Sequence, residues 1–485
     1  MGAAAAGGPV LVASNRGPLS FARGPDGQLT ARRGGGGMVS GLLSAASQAD
    51  LLWVCAALSD ADREAARAAP GGRLPLDETG PGGSAALMLD IPAPVFTRAY
   101  NGIANSTLWF IHHLLYDLPG QPSFGPSFAE DWNAYADYNR AFAAALAEAA
   151  GAGGQPRALV QDYHLALVPR MLARLRPGLR IAHFSHTPWA PPDYFRVLPD
   201  RVAREILAGI LGADHAGFLC QRWADAFADC CAAVLGAAVD RSRQRVTYDG
   251  HVTTLGVHAL GVNAGELRDR AAQPDVGTRV ADLTRLAGGR QLIVRIDRTE
   301  LSKNIVRGLA AYRELLASRP EWRGRVMHLA FAYPSRYDLP EYRAYTAAVQ
   351  READQIIAEF GTADWTPLVV RVDDDYARSL AAYRVADVVL VNPVRDGMNL
   401  VAKEAPIVSD RGCALVLSRE AGAAAELGTD ALLVNPFDVS GTAAALHTAL
   451  SLPRAERAER SARLAAAGAA VPPQRWLASQ LAALG

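Results

Sequence analysis

The sequence predicts an α/β fold: two Rossmann-like domains, each built on a doubly wound parallel sheet, facing a cleft. Three observations carry this. Short apolar runs recur and are continuous rather than alternating, as in PVLVA at 9–13, RIAHFS at 180–185, QLIVRI at 291–296 and ADVVLVN at 386–392. Strands buried on both faces of a parallel sheet read this way. Segments with helical spacing, such as 132–150, 304–318 and 343–360, lie between them, and strand–helix alternation builds a doubly wound sheet. Finally, 485 residues exceed what one hydrophobic core usually holds.

The elements follow in chain order. A first series places strands at 9–13, 158–161, 180–185 and 215–220, then a hairpin whose turn is Tyr248–Asp249–Gly250–His251, because Asp-Gly suits a two-residue turn. The second series begins near Gly261, with strands at 291–296, 325–332, 368–372, 386–392, 413–418 and 431–435. Val471–Pro472–Pro473 breaks the last long helix, and a short amphipathic helix over 474–484 closes the chain. The expected domains are 1–258, 259–455 and a set of C-terminal helices over 456–485, the last crossing back to the N-terminal domain.

Composition narrows the function. Lys plus Arg and Asp plus Glu both number 49, so bulk electrostatics offers no hold on nucleic acid or an anionic membrane. The N-terminus lacks the basic region of a secretory leader, and Ala6 fails the myristoylation pattern. The five cysteines form no CxxC pair, which fits a reduced, cytoplasmic, disulfide-free protein that uses them as small core residues. No zinc or calcium spacing appears among the histidines and acids, so no metal and no other cofactor is expected. One oddity remains: Lys303 and Lys403 are the only lysines among 49 basic residues.

Ligands of such folds bind beyond the carboxyl ends of the strands. After the strand at 291–296, Arg298 and Lys303 stand on a loop that opens a helix. Free N–H groups and the helix dipole favour phosphate there, and a guanidinium fork with a compact ammonium suits a pyrophosphate. The lesser alternative on spacing alone is a surface loop with two solvated cations. After the strand at 386–392 come Asp396, Gly397, Met398, Asn399, Leu400 and Glu404. Gly397 permits close backbone approach, the next three amides open a helix, and the two acids are placed for sugar hydroxyls or for plain charge complementarity at a helix start. In the first domain, Asp162 and His186 end adjacent strands. Arg16 ends the first strand, Tyr100 and Trp109 flank a polar segment, and Arg336 follows a strand of the second domain. The two arginines could hold a phosphomonoester, with the aromatics over a sugar face or in the core.

Taken together, the stretches NGIANSTLWFIHH, QDYHLALVPRMLARLRP, RIAHFSHTPWAPPDYFRVLP, RIDRTELSKN, AYPSRYDLPEYR, VRDGMNLVAKEAP and ALLVNPFD resemble the trehalose-6-phosphate synthases, retaining glycosyltransferases of the GT-B fold. The likeness covers nearly the whole chain. It implies transfer of glucose from a nucleoside diphosphate to glucose 6-phosphate, giving α,α-trehalose 6-phosphate by front-face substitution, with no protein nucleophile. By the resemblance, Arg298, Lys303 and the amides of Met398, Asn399 and Leu400 neutralise the leaving diphosphate, which Gly37 approaches. Glu404 holds the ribose, and Asp396 and His186 orient the donor glucose. Asp162, Arg16, Tyr100, Trp109 and Arg336 serve the acceptor. The resemblance leaves room for a homo-oligomer, and a separate phosphatase would act downstream.

Three departures stand out. The usual D-R-L-D-Y-S-K-G loop is Asp297–Arg298–Thr299–Glu300–Leu301–Ser302–Lys303–Asn304, the usual H-D-Y-H-L begins with Gln161, and the second tryptophan of W-x-G-W-S-G is missing after Trp53. They resemble an actinobacterial branch that includes GDP-sugar users and the pseudo-glycosyltransferases of validoxylamine 7′-phosphate formation. The intact DGMNLVAKE block favours true glucosyl transfer over that pseudo-transfer and over a non-catalytic sugar-phosphate sensor. Asp374, in the run Asp373–Asp374–Asp375 with Ser379 nearby, is the expected reader of guanine, whose N1–H and N2–H₂ a carboxylate can accept together. GDP-glucose is therefore the expected donor ahead of UDP-glucose. The alternative for this run is a solvated acidic turn. Lys403 is left between a support for the site and a helix-surface charge.

Overall fold

The computed structural model describes residues 10–24, 26–33, 51–76, 83–151 and 156–485. Gly37 lies outside them. The chain divides into two compact units, one of residues 1–260 with 473–485 and the other of 261–472.

The first unit holds, in chain order, β1 (Val10–Ala13), β2 (Leu19–Arg23), β3 (Leu29–Arg33), β4 (Leu51–Ala56), β5 (Arg73–Pro75), β6 (Ala85–Leu89), β7 (Arg157–Gln161), β8 (Arg180–Ser185), β9 (His215–Phe218), β10 (Ala238–Asp240), β11 (Arg245–Tyr248) and β12 (His251–Val257). All but the β2–β3 hairpin join one sheet in the order β10-β11-β12-β9-β8-β7-β1-β4-β6-β5. The run from β12 to β6 is parallel, and its two ends are closed by antiparallel partners. At the β11–β12 turn, Asp249 and Gly250 take φ of 53° and 77°, the mirror-image turn that matches the twist of a hairpin. The long helix Pro126–Ala149 buries Tyr135, Tyr138, Phe142 and Leu146, the 3–4 spacing of an apolar stripe.

The second unit holds β13 (Gln291–Arg298), β14 (Val326–Tyr333), β15 (Leu368–Val372), β16 (Val388–Val391), β17 (Ala414–Ser418) and β18 (Leu432–Val434). They form one sheet, β15-β14-β13-β16-β17-β18, parallel throughout. Counted from β13 this is the order 3-2-1-4-5-6 of the doubly wound fold, with its switch point between β13 and β16. Ile293, Leu309, Tyr312, Leu316, Val326, Val388 and Leu446 fill the core beside it. Two helices near the C-terminus, Arg454–Ala469 and Pro473–Ala482, fall on opposite sides of the unit boundary. No helix among the described residues is long and apolar enough to cross a membrane.

Candidate active site

The switch point of the second unit gathers most of the expected donor residues. Past β13, a single 3₁₀ turn over Leu301–Lys303 leads to Asn304 at φ 58°, and the helix Ile305–Ser318 begins. Arg295, 1% exposed, braces this loop from beneath: its guanidinium pairs with Asp297 at 2.8 Å and donates to the Lys303 carbonyl at 3.1 Å. Lys303 Nζ then reaches Asp396 Oδ2, beyond β16, at 2.6 Å. Desolvation alone would pull the ammonium pKa down, but Asp396, Glu300 and Asp297 outweigh it and raise it, so Lys303 stays a cation. Asn399 Nδ2 donates to the same Asp396 oxygen at 3.1 Å. Asn399 itself sits at φ 81°, a strained setting that suits a functional turn.

The Asp396–Leu400 segment is laced to the loop after β17. Asp396 N donates to Glu420 O, Gly422 N to Asp396 O and Ala423 N to Met398 O, at 3.2, 3.0 and 2.8 Å. A Cβ on Gly422 would come within 1.9 Å of the Gly397 carbonyl, so only glycine allows this approach. Leu400 starts the helix Val401–Val408, which carries Glu404. Desolvation pushes the Glu404 carboxyl up to about 7, against a hydrogen bond from Tyr383. Lys403 is no surface charge: it is 0% exposed, and its ammonium meets both Glu426 oxygens at 2.8 and 2.9 Å. Arg298 is exposed and lies 3.2 Å from Glu300. Arg336, past β14, faces the same acid and donates to Tyr342 Oη at 2.6 Å. The residue expected beside the acceptor thus stands with Arg298 in the second unit.

In the acidic run, Asp373 pairs with Arg378, while Asp375 caps the helix Tyr376–Val385 and pairs with Arg279 at 3.0 Å. Asp374 is exposed, with no ion pair among the described residues. Ser379 is buried and bonded to Tyr333 Oη at 2.6 Å.

The first unit builds a different cluster at the ends of β7 and β8. Asp162 takes φ 72° and ψ 169°, a region that costs a non-glycine residue about 1–3 kcal/mol. Its amide donates to Phe184 O at 2.7 Å, and its carboxylate accepts from the His186 amide at 3.2 Å. His186 Nε2 lies 3.0 Å from Gln161 Oε1. Desolvation, helped by His183, pushes His186 down to about 3, and His183 itself falls to about 4 by burial. Trp476, from the helix Pro473–Ala482, tilts against His186 at 5.5 Å. Tyr100 stacks on His164 at 5.7 Å and Trp109 on His113 at 3.9 Å. Both aromatics belong to the wide-turned helix Arg98–Leu108 and its continuation Trp109–His113; such π-helical turns concentrate at functional sites. Arg16 is exposed past β1, and Ser14, which donates to its carbonyl at 2.7 Å, accepts from Trp53 Nε1 at 2.7 Å. Reading for cations and histidines passed over Glu300, Ser335, Tyr383 and Trp476. The first had a signal, an acid set between Arg298 and Lys303.

Known proteins resemble this chain over most of its length. The chain is 33% identical over 459 residues to a probable α,α-trehalose-phosphate synthase (UDP-forming) 2 of Arabidopsis thaliana, covering 93% of this chain and 54% of the relative. It is 31% identical over 479 residues to a validamine 7-phosphate valienyltransferase of Streptomyces hygroscopicus subsp. jinggangensis, covering 98% and 94%. The crystal structure of an α,α-trehalose-phosphate synthase (UDP-forming) from Burkholderia vietnamiensis matches with a TM-score of 0.83 at 30% identity, covering 98% of this chain and 99% of that one. The chain spans about half the length of the first curated relatives it matches, 54% and 48%. The fold is therefore that of the GT-B trehalose-phosphate synthases. The sequence pattern of glycosyltransferase family 20 matches residues 9–485, and the chain belongs to that family.

Proposed function

We propose that this enzyme transfers glucose from a nucleoside diphosphate to glucose 6-phosphate, forming α,α-trehalose 6-phosphate with retention. The observation that carries the reading is the cluster of Arg298, Lys303 and Arg336 at the ends of β13 and β14, with Asp396 across the switch point from Lys303. Cations at such a position stabilise charge that develops on a departing diphosphate. The C1–O bond of the donor breaks toward that diphosphate, the acceptor hydroxyl oxygen bonds to C1 on the same face, and its proton passes to the diphosphate oxygen. No carboxylate pair in a glycosidase arrangement is then required, and the chain's work is positioning and charge stabilisation.

For the base, GDP-glucose is the proposed donor. Asp373 and Asp375 are taken up by arginines, which leaves exposed Asp374 to accept from guanine, near Tyr333 and Ser379. Initial rates with glucose 6-phosphate and GDP-, UDP- or ADP-glucose, with the product identified by mass, test both statements. A UDP-glucose preference rejects the guanine contact. Failure to form trehalose 6-phosphate from any donor rejects glucosyl transfer and favours the second reading, coupling of a GDP-cyclitol to an aminocyclitol phosphate. That reading is supported by the valienyltransferase match, which covers 94% of the relative.

A further inference from the structure

The loop that presents Arg298 and Lys303 also presents an acid that neither reaction step uses. Glu300 is 1% exposed. Its Oε1 accepts from Ser335 Oγ at 2.8 Å and lies 3.2 Å from Arg298 Nε. Arg298 Nη2 is in turn 3.4 Å from the Ser335 hydroxyl, which ties the three side chains together. Glu300 Oε2 has no hydrogen-bond partner among the described residues. Burial pushes this carboxyl upward, yet Arg336, Arg298 and Lys303 hold it down at about 2. A carboxylate removed from water persists only where cations and donors compensate it. Here the compensating cations are those that face the leaving diphosphate.

We propose that Glu300 is the built-in counter-ion of the diphosphate site and that its charge limits how tightly the site holds the nucleoside diphosphate product. The proposal rests on the donor reading above. Without a ligand, Glu300 sits among three mutually repelling cations, Arg298 and Lys303 from its own loop and Arg336 from the end of β14. With a diphosphate present, it stays as a fixed anion beside the phosphates and competes with them for Arg298 and Arg336. That competition lowers product affinity, and it vanishes when the charge does.

The test is calorimetric binding of UDP and GDP to the full chain, with product-inhibition constants measured alongside. Glu300→Gln keeps the shape and removes the charge, and should bind the preferred nucleotide about tenfold tighter or more. Glu300→Ala, which removes the charge by another route, should move in the same direction. Glu300→Asp keeps the charge and should stay near the parent. A residue that merely braces the loop gives the opposite sign, because its loss loosens Arg298. Unchanged or weaker binding by the two neutral variants overturns the proposal alone. A parent that binds neither nucleotide overturns the donor reading and this proposal with it.

Discussion

The two strand-end clusters are made of opposite electrostatic material. At the switch point of the second unit, Arg298, Lys303 and Arg336 face Glu300 and Asp396; opposite charges hold the Glu300 carboxyl down and the Lys303 ammonium up. At the ends of β7 and β8, His183 and His186 are stripped of water and pushed to about 4 and about 3, so both rings are neutral at any working pH. The first arrangement answers charge that appears during a reaction. The second can orient hydroxyls by hydrogen bonds without adding charge of its own. Under the proposed reaction, charge stabilisation falls to the first cluster and hydroxyl placement to the second, and three experiments probe that division.

The largest effect is expected at Lys303. Its ammonium sits 2.6 Å from Asp396, with the side chain 17% exposed, so it is reachable by a ligand while anchored. A guanidinium carries the same charge but is planar and larger. Lys303→Arg should lower kcat by at least about 100-fold, the scale of losing one preorganised charge contact, with the melting temperature nearly unchanged. Turnover close to the parent's would show that only the charge matters there. Lys403 sharpens the contrast: with the same ion chemistry but 0% exposure and both Glu426 oxygens engaged, it can meet no ligand.

Next in size is the pH dependence, which the comparison assigns to Glu404 rather than to the histidines. With its carboxyl at about 7, donor KM should rise about tenfold as pH falls from 8 to 6, following the ionised fraction. Glu404→Gln should flatten this dependence, while His186→Asn should keep it. Stability moves the other way. The folded pKa lies above the ordinary 4.5, so the stabilisation is fully present below 4.5 and is lost as pH rises through about 7. Glu404→Gln should therefore gain stability over the parent between pH 5 and 8, by up to about 1.4 kcal/mol per pH unit. A pH profile that survives in Glu404→Gln and vanishes in His186→Asn would reverse the assignment.

Much of this was legible in the sequence, and the gaps have physical causes. Continuous apolar runs located β7, β8, β13, β14, β16 and β17 because central parallel strands are buried on both faces. β6, Ala85–Leu89, escaped because AALML contains no β-branched or aromatic residue and reads as helix. β4, LLWVCA, escaped because a short apolar run, here going on to Leu58, cannot be told from a buried helix segment by period alone. In the site, residue type and strand-end position were enough to find Lys303, Asp396, Asp162 and His186. They could not show that Lys403 is sealed against Glu426, since that depends on a helix pair far apart in the chain. Nor could they show that three cations share Glu300, because Ser335 and Arg336 come from another strand.

The smallest effect tests whether neutral histidine is special to the first unit. His328, in the middle of β14, is 0% exposed and packs edge-on against Tyr312 at 5.0 Å. Neither ring nitrogen has a hydrogen-bond partner among the described residues. Burial, with Arg295 adding to it, pushes the ring down to about 3. The folded pKa lies below the ordinary 6.5, so this residue's stability is intact above 6.5 and is lost progressively as pH falls toward about 3. His328→Leu, of similar shape and without a proton to take up, should escape that loss. In urea unfolding, the advantage of the variant over the parent should grow by about 2 kcal/mol between pH 6.5 and pH 5. Because His183 and His186 titrate equally in both proteins, the difference isolates the second unit. Parallel stability curves would mean that the ring finds a proton partner in the fold, and that only the first unit keeps its histidines dry.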